Sequence, residues 1–407
     1  MNYTFVMNAE PSPNPSFLEV PVSNLEPGMY IAGLDRPWLE TPFAVQGFFI
    51  LDREDIEFVS QHCAYVYVDP RRRAKGPKKT SKIRTRKSYK DQTSLKSELK
   101  TASVDLTSAS ETMAKVFGQL KTGGHLNIQV VQSAINPLIE SVLRNNEAIA
   151  SLIRMKKKGD YLYNHSLAVA VWAAILGRHL GLERRQLENL ALGAALLDVG
   201  MASIDEGISA SKEPLSPTKQ AEMRKHVGLG VDLLKLNKDL PDEVIETVAS
   251  HHERHDGSGY PAGLDGVNIP MFGRIAGLVD SYDAMITPRP YAECRSSFEA
   301  IQELSDLKDQ LFQGALVEQL IQAIGLFPTG SIVKLNTREI GVVVKQNPAR
   351  RLRPKIAAIL DPTGNRYPEL VVRDLEKYNT GNGKPDLWIT QELEPGAHGI
   401  HPDEFFL

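Results

Sequence analysis

Residues 251–261 read HHERHDGSGYP, the most specific string in the chain. Neighbouring residues of a regular helix point about 100° apart, so His251 and His252 can reach one site only where a helix ends. Gly257 and Gly259 follow directly and tolerate the backbone angles that end a helix. A helix cap followed by a turn explains the two glycines. It does not explain the paired histidines, which favour a metal site.

More imidazoles and carboxylates lie in helical patterns around this string. His165 and His226 are two of them, and Asp198 ends the apolar stretch LALGAALL. A buried carboxylate is costly unless it is paired or bound to a cation. Asp280 and Asp283 are three residues apart in GLVDSYDAM, so they share one helix face. A lone helical histidine is usually a hydrogen-bonded core or surface residue, but this combination predicts a site for iron, manganese, zinc or nickel.

The hydrophobic pattern changes twice along the chain. Apolar residues recur at three- and four-residue spacing through segments such as HSLAVAVWAAILGRHLGL, which predicts helices. After Pro328 the pattern alternates in SIVKLN and EIGVVVKQN, and residues 17–69 combine short strand signals with one helix. We therefore predict a mainly α protein with an all-helical domain at 101–328, a small α+β N-terminal regulatory domain at 1–70, and a small β appendage with an irregular tail at 329–407.

A basic segment separates the first two domains. Residues 71–90 carry 11 basic and no acidic side chains. A run with so little apolar content cannot fold by burial, so we predict a flexible linker over residues 71–100. The alternative is contact with an anionic surface, whereas a linker that only stays extended is commoner. No specific nucleic acid is expected as a partner.

The overall composition excludes several classes of protein. A hydrophobic fraction of 42% excludes global disorder, and 47 basic against 50 acidic side chains give a net charge of −3, which indicates no particular partner. Cys63 and Cys294 are too few for a disulfide framework, so we interpret them as buried thiols. The longest apolar run, Ala168–Leu176, is far shorter than the ~20 residues of a membrane span, and no secretion signal begins the chain. We expect a cytoplasmic protein.

The motifs HSLAVAV, LLDVG, KHVGLG, HHERHDGSGYP, GRIAGLVDSYDAM and RPY together resemble a known family in their order and spacing. That family is the HD-GYP proteins, a branch of the HD metal-dependent phosphohydrolases that hydrolyse the bacterial messenger cyclic di-GMP. The resemblance covers roughly residues 155–328. The N-terminal unit and the segment FPTGSIVKL also resemble a bacterial subgroup in which a domain of unknown function precedes the catalytic domain.

The resemblance implies a ligand set for one or two divalent metals per chain, with iron or manganese expected. Asp198 takes the place of the carboxylate that bridges two metals, and the implied ligands are His165, Asp198, His226, His251, His252 and Asp280. The implied substrate contacts are Tyr260, Asp283 and Arg289, of which Asp283 and Arg289 join Asp198 as catalytic residues. In this chemistry two metals about 3.5–4 Å apart clamp a phosphodiester and generate the attacking hydroxide.

The chain departs from the family pattern at four positions. The histidine expected before Asp198 is Leu197, the expected lysine is Met201, and the basic residue expected after RPY is Ala292. Tyr161 replaces the glutamate of members that bind a third metal. Each lost phosphate contact costs about 2–4 kcal/mol of transition-state stabilisation, so hydrolysis is expected to be weakened or lost.

The remaining ligands divide into two sets. One set is complete with four protein ligands, Asp198, His226, His251 and His252. The other retains three, His165, Asp198 and Asp280, which with water is an acceptable catalytic arrangement in principle. Local rearrangement that brings Asp205 or Glu206 into the place of the lost histidine is a further alternative.

Three classes of function remain open. The first is an active phosphodiesterase that hydrolyses cyclic di-GMP to pGpG or GMP, and the second, which the substitutions favour, is a degenerate member that senses the nucleotide or holds a partner. The third is a metal-free scaffold, which would have to satisfy buried Asp198 and Asp280 by other hydrogen bonds. The resemblance also implies contact of Gly259, Tyr260 and Pro261 with a diguanylate cyclase (GGDEF) domain, against the simpler reading of a pocket-lining loop.

Overall fold

The structure is a computed structural model. It describes residues 17–36, 41–43, 48–50, 52–73, 86–155, 161–209, 211, 214, 216–287, 295–347, 353–378, 386–394 and 396–402. The chain divides into two units, one within residues 1–88 and 180–183, the other within residues 89–179 and 184–407.

The first unit is built on a four-stranded antiparallel sheet with the order β1-β4-β2-β3. Its strands are β1 (Leu18–Pro21), β2 (Met29–Leu34), β3 (Phe48–Phe49) and β4 (Tyr65–Arg73). Helix α1 (Arg53–Ser60) begins at Asp52, whose side chain accepts a hydrogen bond from the Asp55 amide at 3.0 Å. Ile31 and Val66 are buried in its core. The predicted small N-terminal α+β fold is confirmed.

The second unit is mainly helical, as predicted. Its helices are α2 (Leu95–Lys121), α3 (Ile128–Arg144), α4 (Asn146–Met155), α5 (Tyr161–His179), α6 (Arg184–Ala195), α7 (Glu206–Ser209), α8 (Pro217–Arg224), α9 (His226–Lys235), α10 (Asp242–Ser250), α11 (Met271–Ile286), α12 (Ser297–Asp306) and α13 (Gly314–Ile324). Among the described residues, none of these helices is both long and apolar enough to cross a lipid bilayer.

Helix α5 lies at the centre of the second unit. Residues 167–176 are all buried, which is typical of a helix enclosed by other helices. It packs against α3, α6, α11 and α13. Its Trp172 meets Tyr282 of α11 edge to face, with ring centroids 5.5 Å apart. His165 precedes Trp172 by seven residues, about two turns, so both side chains lie on the side of α5 that faces α11.

A five-stranded antiparallel sheet follows the helices, with the order β8-β7-β6-β5-β9. Its strands are β5 (Ile332–Leu335), β6 (Ile340–Lys345), β7 (Lys355–Leu360), β8 (Arg366–Asp374) and β9 (Ile389–Leu393). Alternate residues such as Val333, Val343 and Ile356 form its core, as the alternating pattern predicts. The predicted C-terminal β fold is confirmed.

Buried charges join this sheet to the helices. The Arg154 guanidinium of α4 donates to Glu392 of β9 at 3.0 Å and to the Ser331 hydroxyl at 2.9 Å. The second oxygen of Glu392 accepts from the Phe298 amide in the first turn of α12 at 2.9 Å. Phe298 also stacks on Phe327, with ring centroids 5.4 Å apart. One carboxylate therefore ties the last strand to two separate helices.

The linker predicted over residues 71–100 differs from the structure at both ends. Strand β4 continues to Arg73, since Arg71 is held by an ion pair with buried Asp69 at 2.9 Å. Helix α2 already begins at Leu95. A run of charged residues indicates a segment with little apolar surface to bury, but it does not show where the strand before it ends or where the helix after it begins. Most of the basic run lies outside the described residues.

Cys63 is buried, as expected. Burial raises the pKa of its thiol to about 12, and the negative charge of Asp35 adds to this effect. The thiol is therefore protonated and inert at neutral pH. Cys294 lies outside the described residues.

Candidate metal centre

Four predicted ligands come together in the second unit. One potential ligand atom from each of Asp198, His226, His251 and His252 lies within 4.8 Å of the others. Every one of them is at a helix end. Asp198 follows α6, His226 begins α9, and His251 and His252 follow directly after α10. The helix end expected from the glycines of HHERHDGSGYP is the feature that lets two adjacent histidines share this site.

Backbone carbonyls orient two of the imidazoles. Nδ1 of His226 lies 2.7 Å from the carbonyl of Met223, and Nδ1 of His251 lies 2.8 Å from the carbonyl of Val248. A carbonyl only accepts, so each Nδ1 donates and each Nε2 carries a lone pair. The two Nε2 atoms nevertheless face one another at 3.5 Å. Two lone pairs cannot bond to each other, whereas a divalent cation between them would satisfy both.

The electrostatics of the group favour neutral imidazoles. Burial lowers the pKa of His251, and burial together with neighbouring His251 lowers the pKa of His252. Only the neutral form of histidine binds a metal. The carboxylate of Asp198, 3.4 Å from Nε2 of His226, adds an oxygen donor. The donor set of three nitrogens and one carboxylate fits a divalent transition metal.

Glycines allow the helix ends to come this close. A Cβ at Gly200 would collide with the carbonyl of His226, and a Cβ at Gly277 of α11 would collide with the carbonyl of His251. Both contacts are to backbone, which cannot rotate away. The ligand-bearing helix ends therefore lie directly against neighbouring backbone.

His165 and Asp280 form a neighbouring ion pair. Nε2 of His165 donates to Asp280 at 2.9 Å, and Nδ1 donates to Asp283 at 2.7 Å. Burial alone would lower the pKa of His165, but the two carboxylates raise that pKa to about 10. Burial would raise the pKa of Asp280, and the hydrogen bond from His165 brings the pKa well below its usual range. A metal that binds this pair must first displace the proton between them.

Asp283 differs from the substrate contact that the resemblance implies. It is only 1% exposed, and its oxygens accept hydrogen bonds from His165, from the Trp172 indole at 3.0 Å and from the Thr287 hydroxyl at 3.2 Å. Among the described residues these three donors surround the carboxylate, and the bond to Nδ1 orients the imidazole of His165. Arg289, the other expected contact, lies outside the described residues.

Tyr260 lies on the metal cluster. Its ring stacks on the imidazole of His252 with centroids 4.7 Å apart, and its amide donates to the His252 carbonyl at 3.2 Å. Burial, followed by the charge of Asp198, raises the pKa of its hydroxyl. Gly259 is required beside it, since a Cβ there would meet the His252 carbonyl at 2.5 Å and other backbone more closely still.

A buried carboxylate holds the loop that carries Tyr260. Glu253 is 5% exposed, and its two oxygens accept from the amides of Ala262 at 2.7 Å and Leu264 at 2.9 Å. Arg254 donates to the carbonyls of His251 and Glu253, both at 3.0 Å. The loop therefore has a fixed shape before any ligand binds.

Two of the substituted positions, Leu197 and Met201, lie close to Asp198 in the chain, and neither side chain supplies a ligand. Leu197 is 3% exposed, and Met201 is half-buried in the short 3-10 helix after Asp198. Asp205 and Glu206 are both exposed and lie outside the cluster, so rearrangement of either into the missing position is not observed. Ala292 and the side chain of Tyr161 lie outside the described residues.

Three contributors to the site were not predicted from the sequence. Trp172 could have been found, because it lies two helical turns after His165. Glu253 is part of the motif itself, yet its role in closing the loop depends on amides nine and eleven residues later. Arg224 has no marker in the sequence beyond its place two residues before His226. Its guanidinium carbon lies 4.8 Å from the ring centroid of Tyr260.

Comparison with known proteins assigns families to the three parts of the chain. Residues 144–316 match the HD domain family. Residues 18–131 match a domain of unknown function, and residues 332–381 match a KOW domain associated with the HD domain. The HD match includes every described residue of the metal cluster.

The chain is similar to several curated phosphodiesterases. A cyclic di-GMP phosphodiesterase of Pseudomonas aeruginosa is 26% identical over 83% of this chain and 84% of its own length. A 3'3'-cGAMP-specific phosphodiesterase of Vibrio cholerae is 34% identical over 48% of this chain and 38% of its own length. A cyclic di-GMP phosphodiesterase response regulator of Xanthomonas campestris is 32% identical over 39% of this chain and 44% of its own length.

The chain thus spans most of the first relative and less than half of the other two. With its HD domain match and the motif HHERHDGSGYP at the cluster, the region 144–316 is an HD domain of the HD-GYP type.

Proposed function

We propose that the chain is a metal-binding cyclic di-GMP signalling protein whose power to hydrolyse the nucleotide is weakened or lost. The main support for a bound metal is that the Nε2 lone pairs of His226 and His251 face each other. Cyclic di-GMP is the substrate named for two of the relatives above. We expect weak hydrolysis because Leu197 replaces a metal-ligating histidine and Met201 replaces a phosphate-facing lysine.

The retained residues can hold and orient a phosphodiester. A metal held by the cluster supplies Lewis acid chemistry at a phosphate oxygen. Asp198 and the three histidines hold that ion, and the ring of Tyr260 shields His252 from water on the stacked side. Glu253 keeps Tyr260 in place through the loop amides. Arg289 is the expected fork-like phosphate contact.

Two features of this chain oppose a second metal. Leu197 offers an apolar side chain where the family pattern has an imidazole. The His165 proton, held by Asp280 and buried Asp283, must leave before that pair can act as ligands. The phosphate-facing lysine is also replaced by Met201 and the basic residue after RPY by Ala292, and two lost phosphate contacts of about 2–4 kcal/mol each slow turnover by several powers of ten.

Restoration of the family residues tests this proposal. The full chain and the double variant Leu197→His, Met201→Lys are purified without chelator and loaded with manganese. Metal per chain, cyclic di-GMP affinity and cyclic di-GMP turnover are measured on the same samples, with metal content before loading to distinguish iron from manganese. The matched control carries Asp198→Asn in the restored background.

We expect wild type to bind cyclic di-GMP with one metal per chain and little turnover. The double variant should gain metal and hydrolyse at least about 100-fold faster, because one metal ligand and one phosphate-facing charge return. The Asp198→Asn control should lose both gains. Rapid turnover by wild type with two metals contradicts the expected weakness, and absence of cyclic di-GMP binding contradicts the proposed ligand.

We also propose, from the family resemblance, contact of the Gly259–Tyr260–Pro261 segment with a diguanylate cyclase domain. Pro261 is exposed at the tip of a loop that Glu253 closes, which supports a preformed protrusion. Binding of wild type and Pro261→Glu to a purified GGDEF domain provides the test. Equal affinity of the two proteins would contradict the contact.

A further inference from the structure

Arg224 occupies a distinctive place beside the metal cluster. It is the last residue of α8, two residues before the ligand His226. Its guanidinium carbon lies 4.8 Å from the ring centroid of Tyr260, and that ring stacks on the ligand His252. Two independent connections, one along the chain and one through an aromatic ring, therefore place this cation at the cluster.

The guanidinium of Arg224 is free to bind a ligand. Across the described residues, no carboxylate, carbonyl or hydroxyl accepts a hydrogen bond from it. Its neighbour Lys225 is instead paired with Glu222 at 2.5 Å. A guanidinium carries five N–H donors in a planar fork that matches phosphate oxygens, and within the described residues none of those of Arg224 donates to a protein oxygen.

Arg254, a second described arginine near the site, is already engaged. Arg254 donates to the carbonyls of His251 and Glu253 and lies over the ring of Phe312 at 5.3 Å. These contacts build the loop and use its donors. The side chain of Arg224 is exposed, whereas that of Arg254 is half-buried. Of these two cations, only Arg224 can turn its donors outward.

The charge balance of the site calls for such a cation. Two carboxylates, Asp198 and Asp280, lie at the cluster, and Met201 replaces the lysine of the family pattern. The His165 imidazolium offsets one of the three negative charges of Asp198, Asp280 and Asp283, and a bound divalent ion would offset the other two, so the charge of a phosphodiester is left to cations such as the expected Arg289. Arginine is suited to that role because its hydrogen bonds to phosphate are charge-assisted and paired.

We propose that Arg224 is a phosphate-binding residue of this site, a substitute for the cation missing at Met201. This inference rests on the proposed function for its ligand, a cyclic dinucleotide. The cation–π contact with Tyr260 keeps the long side chain at the cluster, so less conformational freedom is lost when phosphate binds.

Titration calorimetry on the manganese-loaded full chain tests the role of Arg224. Cyclic di-GMP and inorganic phosphate are the two probes. The variants are Arg224→Met, Arg224→Gln and Arg224→Lys. Glutamine retains a planar group against the Tyr260 ring without charge, and lysine retains the charge without the fork. Lys225→Met is the matched control, since it removes the same charge one residue later from a side chain paired with Glu222.

We expect Arg224→Met and Arg224→Gln to weaken both probes by about 10- to 100-fold, the value of a charged hydrogen bond. Arg224→Lys should recover part of the affinity, and Lys225→Met should change it less than about threefold by removal of a screened surface charge. Exposed Arg224 contributes no core packing, so thermal unfolding should be unchanged.

The two probes separate this inference from the proposed function. If wild type binds phosphate in an Arg224-dependent way but does not bind cyclic di-GMP, the phosphate role stands and the proposed ligand is overturned. If Arg224→Gln binds both probes as wild type does, the charge of Arg224 is irrelevant and the inference is overturned. Equal losses in Arg224→Met and Lys225→Met would also overturn it, because general surface charge would then explain the effect.

Discussion

The loop that carries Tyr260 depends on one carboxylate, and Glu253→Gln tests that dependence. Glu253 is 5% exposed and accepts from the amides of Ala262 and Leu264, one on each oxygen. The substitution replaces one oxygen by an NH2 group of nearly the same size. That group faces an amide donor, so one hydrogen bond is lost and the other loses its charge.

The size of the effect follows from these two bonds. Hydrogen bonds to charged groups contribute about 1.5–3 kcal/mol each, and a neutral one contributes about 0.5–1.5 kcal/mol. Two charged bonds become one neutral bond, so the free energy of loop opening should fall by about 2.5–4.5 kcal/mol. Since every 1.4 kcal/mol is about a factor of ten, the open population rises about 60- to 1,600-fold.

Amide hydrogen exchange measures this population directly. We expect the amides of Ala262 and Leu264 to exchange faster in Glu253→Gln, and cyclic di-GMP affinity to fall because Tyr260 is no longer held. The control is Glu188→Gln, since Glu188 forms an exposed surface pair with Arg184 and should change little. Unchanged exchange in the loop would refute the view that Glu253 preorganises it.

Three further predictions follow from contacts in the helical unit. Asp283→Asn should lower the pKa of His165, because one of its two carboxylate partners loses its charge, and NMR titration of the imidazole should show the decrease with little change in fold. Gly277→Ala should reduce metal content, and it should lower the free energy of unfolding by about 1–3 kcal/mol, because its Cβ collides with backbone at the ligand-bearing end of α10. Burial would raise the pKa of Glu98, but its ion pair with Arg144 at 2.7 Å lowers the pKa. The stability from that pair is therefore complete above the unfolded pKa of about 4.5 and declines as pH falls through the folded value, and urea unfolding between pH 3 and 7 should show a smaller decline for Glu98→Gln.

The metal cluster could be predicted in large part from the sequence. Adjacent His251 and His252 require a helix end, and the glycines that follow provide one, so the local chemistry already indicated the geometry. Asp198 at the end of an apolar stretch indicated a buried carboxylate with a partner. These signals are short in range, and in the structure one potential ligand atom from each of Asp198, His226, His251 and His252 lies within 4.8 Å of the others.

Asp283 shows where such reasoning stops. Its spacing from Asp280 places both carboxylates on one face of α11. The same spacing is expected whether that face contacts a ligand or packs against α5. The difference lies in Trp172 and His165, which belong to another helix. Only the packing of α5 against α11 shows that Asp283 points into the core.

Arg224 could not be predicted for a related reason. Its contact with Tyr260 joins the end of α8 to a loop more than thirty residues later. An exposed arginine at a helix end is ordinary, and nothing in its neighbours predicts an aromatic ring beside it. The distinction between a solvated surface charge and a ligand-binding one depends on tertiary position.

The buried carboxylate of Glu392 limits how this chain can be shortened. The KOW match ends at residue 381, so an expression fragment cut at that family boundary would omit β9 and Glu392. Arg154 would then carry an uncompensated positive charge in the interior, and the Phe298 amide would lose its acceptor. Loss of one partner of a buried pair costs about 3–5 kcal/mol. Such a fragment would report on a damaged helical domain, and weak activity measured on it would say nothing about the intact protein.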